Sequence, residues 1–83
     1  MKVQSLPKPK KSVIDKAKAD FAKVLKSRRE SFGVSQDRLA KLVGVDRKTI
    51  NRIENGHFSP NLDTMIRIAT VLKLKPAQII SIK

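Results

Sequence analysis

Apolar residues recur every three or four positions along most of the chain, which is the spacing of one face of an α-helix. The longest stripe predicts a first helix over residues 13–32 and comprises Ile14, Ala17, Phe21, Val24, Leu25 and Phe32. Ser12 and Asp15 have capping-box spacing, so we expect Ser12 to begin this helix. Gly33 then suits the left-handed position that ends a helix.

Four shorter helices are predicted after Gly33. Ser35, Asp46 and Asn61 are residue types that cap helix N-termini, and Pro76 suits the first position of a last helix that continues through Ile80. The third of the five helices is expected over Arg47–Glu54. The apolar residues of the second helix are Leu39, Ala40, Leu42 and Val43. The predicted inward residues are Ile50 and Ile53 in the third helix and Leu62, Met65, Ile66, Ala69 and Leu72 in the fourth. Sustained β-type alternation is lacking, so the sequence predicts an all-α domain of five helices.

Composition narrows the classes of function. The 83 residues include no Cys and a single His, which removes disulfides and thiolate sites and leaves too few ligands for zinc, so we expect no cofactor and no metal. A net charge of +12 points to a polyanionic partner. The apolar runs are too short to cross a bilayer, and the N-terminus lacks a signal-peptide pattern, so we expect a cytoplasmic protein with no membrane partner.

The first eleven residues form a basic segment with no acidic residue. Lys2, Lys8, Lys10 and Lys11 lie there, and Pro7 and Pro9 disfavour regular structure. We expect residues 1–11 to be a flexible arm and residues 12–83 to be the folded domain. Lys8, Lys10 and Lys11 are candidates to contact nucleic-acid phosphates, although a purely solubilising tail is an equal alternative.

The segment from Gln36 to Asn55 carries the most specific pattern. A small residue, Ala40, stands where two short helices would come closest, and Gly44 stands where the turn between them needs a positive φ angle. Val45 follows the turn, and Ile50 and Ile53 lie three residues apart in the next helix. These positions together fit the DNA-binding helix-turn-helix over residues 36–55.

The same residues resemble the Cro/C1-type (Xre) family of bacterial and phage transcriptional regulators, which have a lambda-repressor-like domain. The resemblance rests on Ser35–Ala40, Gly44–Val45, Thr49–Gly56 and Pro60–Leu62. It implies a five-helix domain that binds a pseudo-palindromic operator as a homodimer, with the third helix in the major groove. It also implies a bacterial, phage or plasmid-encoded protein associated with the nucleoid, most often a repressor.

Four polar residues of the third helix are candidates to read bases. Arg and Lys side chains can donate to guanine, and an Asn amide can pair with adenine. None of the four is needed for the apolar face of the helix. They are Arg47, Lys48, Asn51 and Arg52. A solvated face that contacts only phosphates is the alternative.

Other residues are candidates for positioning the domain on DNA. The family resemblance implies phosphate contacts from Gln36, Asn55 and Asn61, and we expect Arg38 and Lys41 to contribute electrostatically. It also implies that Arg29 pairs with Glu54. That ion pair would be structural, because no partner acid or nucleophile lies at a useful spacing for catalysis.

Three isoleucines near the C-terminus, Ile79, Ile80 and Ile82, exceed what a short fifth helix needs to cover a small core. The resemblance implies a two-fold interface there. The alternative is that Ile79 packs inside the domain while Ile80 and Ile82 are exposed. An antitoxin that also neutralises a small protein partner is a second functional hypothesis. RNA binding is disfavoured because Phe21 and Phe32 are assigned to the core, and enzyme activity is the least favoured class.

Overall fold

A computed structural model describes residues 5–57 and 59–75 and contains four helices in those ranges. They are α1 (Lys11–Ser31), α2 (Gln36–Val43), α3 (Arg47–Glu54) and α4 (Leu62–Leu72). The described residues include no strand, which confirms the all-α prediction. The predicted fifth helix over 76–80 lies outside the described residues.

The core forms where the second half of α1 meets the three shorter helices. Each helix contributes residues that are at most 8% exposed. They are Phe21 and Leu25 from α1, Leu39, Ala40 and Val43 from α2, Ile50 and Ile53 from α3, and Ile68 and Leu72 from α4, with Leu74 just beyond. Apolar burial of this kind is the main stabilising contribution to a domain of this size.

The three predicted N-caps of the shorter helices are confirmed. The side chains of Ser35, Asp46 and Asn61 each accept a hydrogen bond from a backbone N–H three residues later. Each bond satisfies an N–H group that has no partner within its helix. The first turns of α2, α3 and α4 are therefore fixed by local sequence.

All four described helices end in the same way. A left-handed residue follows each helix, and the next residue donates its backbone N–H to a carbonyl five positions earlier, which is the Schellman pattern. Glycine supplies the left-handed residue after α1, α2 and α3, whereas Lys73 supplies it after α4 with a φ of 54°. In addition, Arg28 Nε donates to Leu72 O at 2.9 Å, so α1 ties down the last carbonyl of α4.

The predicted beginning and end of α1 were wrong in detail. The N-cap is Lys10, which makes no side-chain capping bond, and Ser12 lies inside the helix. This end is exposed, so water can satisfy the first N–H groups without a capping box. Phe32 is 44% exposed and lies 5.2 Å from the Arg28 guanidinium rather than in the core. It follows the last helical residue, where the chain turns away at Gly33.

The predicted apolar faces of α1 and α4 also need correction. Ile14, Leu62 and Ile66 are exposed, whereas Ile68, which the pattern did not select, is fully buried. In α4 the inward residues are spaced as Met65, Ile68 and Leu72. With several apolar residues around α4, periodicity alone did not determine which side faces the core.

Candidate nucleic-acid interface

The corner between α2 and α3 is closed by two hydrogen bonds to one carbonyl. Gly44 N and Val45 N donate to Ala40 O at 2.8 and 3.0 Å, and Gly44 has a φ of 87°. That angle strains any residue with a Cβ atom. Ala40 is buried at this corner, as the sequence predicted. The corner therefore fixes the direction in which α3 leaves α2.

The N-terminus of α3 is held by Asp46. Its Oδ1 accepts the Thr49 hydroxyl at 2.6 Å and the Thr49 backbone N–H at 2.8 Å. These two hydrogen bonds, the hydroxyl contributing more, lower the pKa of Asp46, and the charges of Lys48 and Arg52 lower it further. The carboxylate thus stays charged at neutral pH and stabilises the start of α3.

The two sides of α3 differ sharply. Ile50 and Ile53 are 0% and 1% exposed and anchor the helix in the core. The residues at the four predicted base-reading positions are all exposed. Their spacing along the helix places them side by side on its outward surface. They are Arg47, Lys48, Asn51 and Arg52.

The structure brings Arg29 and Glu54 together at the other end of α3. Arg29 Nε and Nη2 donate to the two carboxylate oxygens at 2.6 and 3.0 Å, and Arg29 Nη1 donates to Val34 O at 2.8 Å. The two side chains are 12% and 2% exposed. The hydrogen bonds with Glu54 raise the pKa of Arg29 above its ordinary value. The only buried acid of the described residues is thereby neutralised beside the cationic surface of α3.

Three carboxamides continue from this ion pair to the outward surface. Gln36 Nε2 donates to Glu54 Oε1 at 3.0 Å, Asn51 Nδ2 donates to Gln36 Oε1 at 3.3 Å, and Asn55 Nδ2 donates to Asn51 Oδ1 at 3.1 Å. We call Gln36, Asn51 and Asn55 the amide chain. The sequence assigned these residues separate contacts with DNA and missed the bonds between them. Only the four-residue spacing of the two asparagines could have suggested one of these bonds.

The other predicted phosphate contacts are exposed but lie outside the amide chain. Lys41 Nζ lies 3.4 Å from Asp37 Oδ2 on the same helix. Arg38 lies about one helical turn before Lys41. Asn61 uses its carboxamide oxygen to accept from Thr64 N at 2.8 Å. In the described residues, these three side chains take no part in the hydrogen bonds that link the amide chain to Glu54.

The three lysines that are candidates for arm contacts lie before α1 and at its first residue. Residues 5–10 are exposed and have no regular structure, and Lys8 and Lys10 lie there, whereas Lys11 is the first residue of α1. The predicted dimer residues Ile79, Ile80 and Ile82 lie outside the described residues. Among the helices of the described ranges, none is long and apolar enough to cross a membrane.

Comparison with known proteins finds a family profile that matches most of the described residues. The HTH_3 (helix-turn-helix) family profile matches residues 25–79. An uncharacterized HTH-type transcriptional regulator of Methanothermobacter thermautotrophicus is 41% identical over 49 residues, which cover 59% of this chain and 71% of that protein. The sequence-based resemblance to helix-turn-helix regulators is therefore confirmed. The profile begins in the second half of α1.

Two solved structures are similar in fold. The restriction-modification controller protein C.AhdI from Aeromonas hydrophila has a TM-score of 0.70 and 30% identity, and the similarity covers 76% of this chain and 96% of that one. An HTH_3 family transcriptional regulator from Vibrio cholerae has a TM-score of 0.70 and 34% identity, covering 78% of this chain and 36% of that one. The arrangement of helices in this chain is thus similar to that of a restriction-modification controller protein and of an HTH_3 family regulator.

Proposed function

The chain belongs to the HTH_3 (helix-turn-helix) family, and from this premise we propose that it regulates transcription by binding specific sequences in double-stranded DNA. One observation carries the proposal. The outward side of α3 presents Arg47, Lys48, Asn51 and Arg52, while its inward side is fixed in the core. An α-helix of this kind fits the major groove, where guanine offers two acceptors and adenine an acceptor and a donor.

The phosphate contacts of the proposal come from the surroundings of α3. Gln36 lies at the N-terminus of α2, where a backbone N–H and the side-chain amide can both donate to a phosphate oxygen. Arg38, Lys41, Asn55 and Asn61 are exposed and supply further donors or positive charge. Lys8 and Lys10 of the arm, with Lys11 at the start of α1, would add contacts along the backbone. Such contacts set affinity and register rather than sequence preference.

We further propose that the protein acts on nucleoid DNA as a homodimeric repressor at a pseudo-palindromic operator. Support comes from the Cro/C1-type resemblance and from the isoleucines at 79, 80 and 82, which suit an apolar two-fold interface. A symmetric dimer would place two recognition helices about 34 Å apart, one turn of DNA. The proposal therefore specifies the spacing of the half-sites as well as their symmetry.

Selection of binding sites from random duplex DNA tests these proposals together. An enriched inverted repeat with half-site centres about 10 bp apart is the expected result. Enrichment of a single half-site would contradict the homodimer, and the absence of any enriched sequence would contradict sequence-specific binding.

Variants of α3 test the assignment of the recognition surface. Arg47→Ala and Arg52→Ala are each expected to cost roughly 1–3 kcal/mol on the selected site and to relax preference at one base pair. The matched control is Lys23→Ala, which removes one positive charge from α1 instead of α3. Lys23 lines a groove together with Leu74. This control should leave the sequence preference unchanged, and an altered preference would contradict the assignment.

A further inference from the structure

We propose that Glu54, acting through Gln36, fixes the orientation of the Asn51 carboxamide, so that Gln36 helps to determine which base is preferred. The inference rests on the proposed function, since it assumes that α3 enters the major groove. Glu54 then has a positioning role in addition to its ion pair with Arg29, and Gln36 has one in addition to its proposed phosphate contact.

The buried carboxylate of Glu54 lies beside Gln36, at one end of the amide chain. A carboxylate can only accept hydrogen bonds, whereas a carboxamide donates from its nitrogen and accepts at its oxygen. Glu54 is 2% exposed in its side chain and is held by Arg29 at 2.6 Å. The end of Gln36 that faces it must therefore be the nitrogen, which lies 3.0 Å from Glu54 Oε1.

This constraint passes from Gln36 to Asn51. With its nitrogen directed at Glu54, Gln36 presents its oxygen to α3, and Asn51 Nδ2 donates to that oxygen at 3.3 Å. Asn51 Oδ1 in turn accepts from Asn55 Nδ2 at 3.1 Å. Turning the Asn51 amide by 180° would set two oxygens against each other on one side and two nitrogens on the other. Every donor in the chain thus points toward the buried carboxylate.

The donor and acceptor of the Asn51 amide that remain unused are complementary to one base. Its amide has two hydrogens and two acceptor lone pairs, and the bonds to Gln36 and Asn55 use one of each. One donor and one acceptor remain, and adenine presents the complementary acceptor N7 and donor N6 in the major groove. If the Asn51 amide were reversed, its NH2 group would face the N6 donor of adenine. Fixing the orientation of Asn51 therefore favours adenine at the base pair that it faces.

Gln36 then differs from an ordinary phosphate ligand. Loss of a phosphate contact weakens binding to all sequences alike, because phosphates carry no sequence information. Loss of Gln36 also frees the Asn51 amide to turn, so one base preference should fall along with affinity. That difference separates a positioning role from a purely structural or electrostatic one.

The test compares site-selection profiles of four variants with that of the wild type. Asn51→Ala identifies the base pair that Asn51 reads. Gln36→Met removes both ends of the amide while the Arg29–Glu54 pair remains, and it should lower the preference for adenine at that base pair roughly fivefold or more. Arg38→Met is the control on the same helix and should lower affinity with an unchanged profile. Circular dichroism verifies that each variant is folded, and Gln36→Ala repeats the test with a smaller side chain.

A second measurement examines the free protein. In ¹⁵N-edited NMR spectra, Gln36→Met should shift the side-chain NH2 resonances of Asn51, whereas those of Asn61, which lies outside the amide chain, should not move. Unmoved Asn51 resonances would overturn the inference without any reference to DNA.

The outcomes on DNA separate the two proposals. If the wild type enriches a sequence but Gln36→Met keeps its profile, the positioning role is refuted and the proposed function stands. The positioning role is also refuted if Asn51→Ala changes no base preference. If the wild type enriches no sequence at all, the proposed function fails, and the positioning role fails with it.

Discussion

Replacing Glu54 by Gln removes one negative charge from the most buried ion pair of the described residues while keeping the size of the side chain. Glu54 accepts from Arg29 Nε at 2.6 Å, from Arg29 Nη2 at 3.0 Å and from Gln36 Nε2 at 3.0 Å. A glutamine has a single acceptor oxygen, and its NH2 group would face nitrogen donors. At least one N–H of the Arg29 guanidinium therefore loses its acceptor.

The expected loss of stability is large for a small domain. Removing one partner of a buried ion pair typically costs about 3–5 kcal/mol, because the other charge is left without compensation. Arg29 is 12% exposed and keeps its bond to Val34 O at 2.8 Å, which favours the lower end of that range. A loss of about 3 kcal/mol would lower the Tm of a domain of this length by roughly 12–24 °C.

Thermal and urea denaturation followed by circular dichroism measure this loss. The matched control is Asp20→Asn, which neutralises an acid in the Lys16–Asp20 pair of α1. That pair has a similar N–O distance, 3.0 Å, but its side chains are 76% and 40% exposed. Exposed pairs contribute about 1 kcal/mol or less, so the control should stay close to the wild type.

Two results would refute this reasoning. The first is a Glu54→Gln variant within 1 kcal/mol of the wild type, about the contribution of an exposed pair. The second concerns the double variant Arg29→Met with Glu54→Met, which leaves neither charge behind. Removal of both charges should make it more stable than Glu54→Gln alone. A double variant less stable than the single one would show that the uncompensated charge is not the cause.

Three further predictions concern the turn, the cap of α3 and the arm. Gly44→Ala should cost roughly 1–2 kcal/mol in urea denaturation, because its φ is 87°; an unchanged midpoint would argue against a strained corner. Asp46 has a lowered pKa, so its charge stabilises the folded state above about pH 4, and this contribution is lost as the pH falls through the lowered value. The stability difference from Asp46→Asn should therefore be constant near neutral pH and shrink in acid, and a difference that grows in acid would contradict the assignment. Deletion of residues 1–10 should flatten the log–log salt dependence of DNA binding by up to ~0.9 for each lysine that neutralises a phosphate; an identical slope would mean that the arm makes no such contact.

Much of the fold could be predicted from the sequence because it depends on neighbouring residues. The caps at Ser35, Asp46 and Asn61 each act over three positions, and Gly44 is needed at the corner whatever surrounds it. The bounds of α3 were predicted correctly for the same reason, since its cap and its two inward isoleucines lie within one short segment. Charge and composition pointed independently to a polyanionic partner.

Tertiary structure decided the features that depend on which surfaces meet. Ile68 is buried and Ile66 is exposed because α4 packs against α1 and α2 in one particular rotation, and both residues are equally apolar in the sequence. The bonds from Arg29 to Glu54, from Gln36 to Glu54 and from Asn51 to Gln36 span 25, 18 and 15 residues. No local pattern encodes hydrogen bonds over such separations, because their geometry exists only after α1, α2 and α3 have packed together.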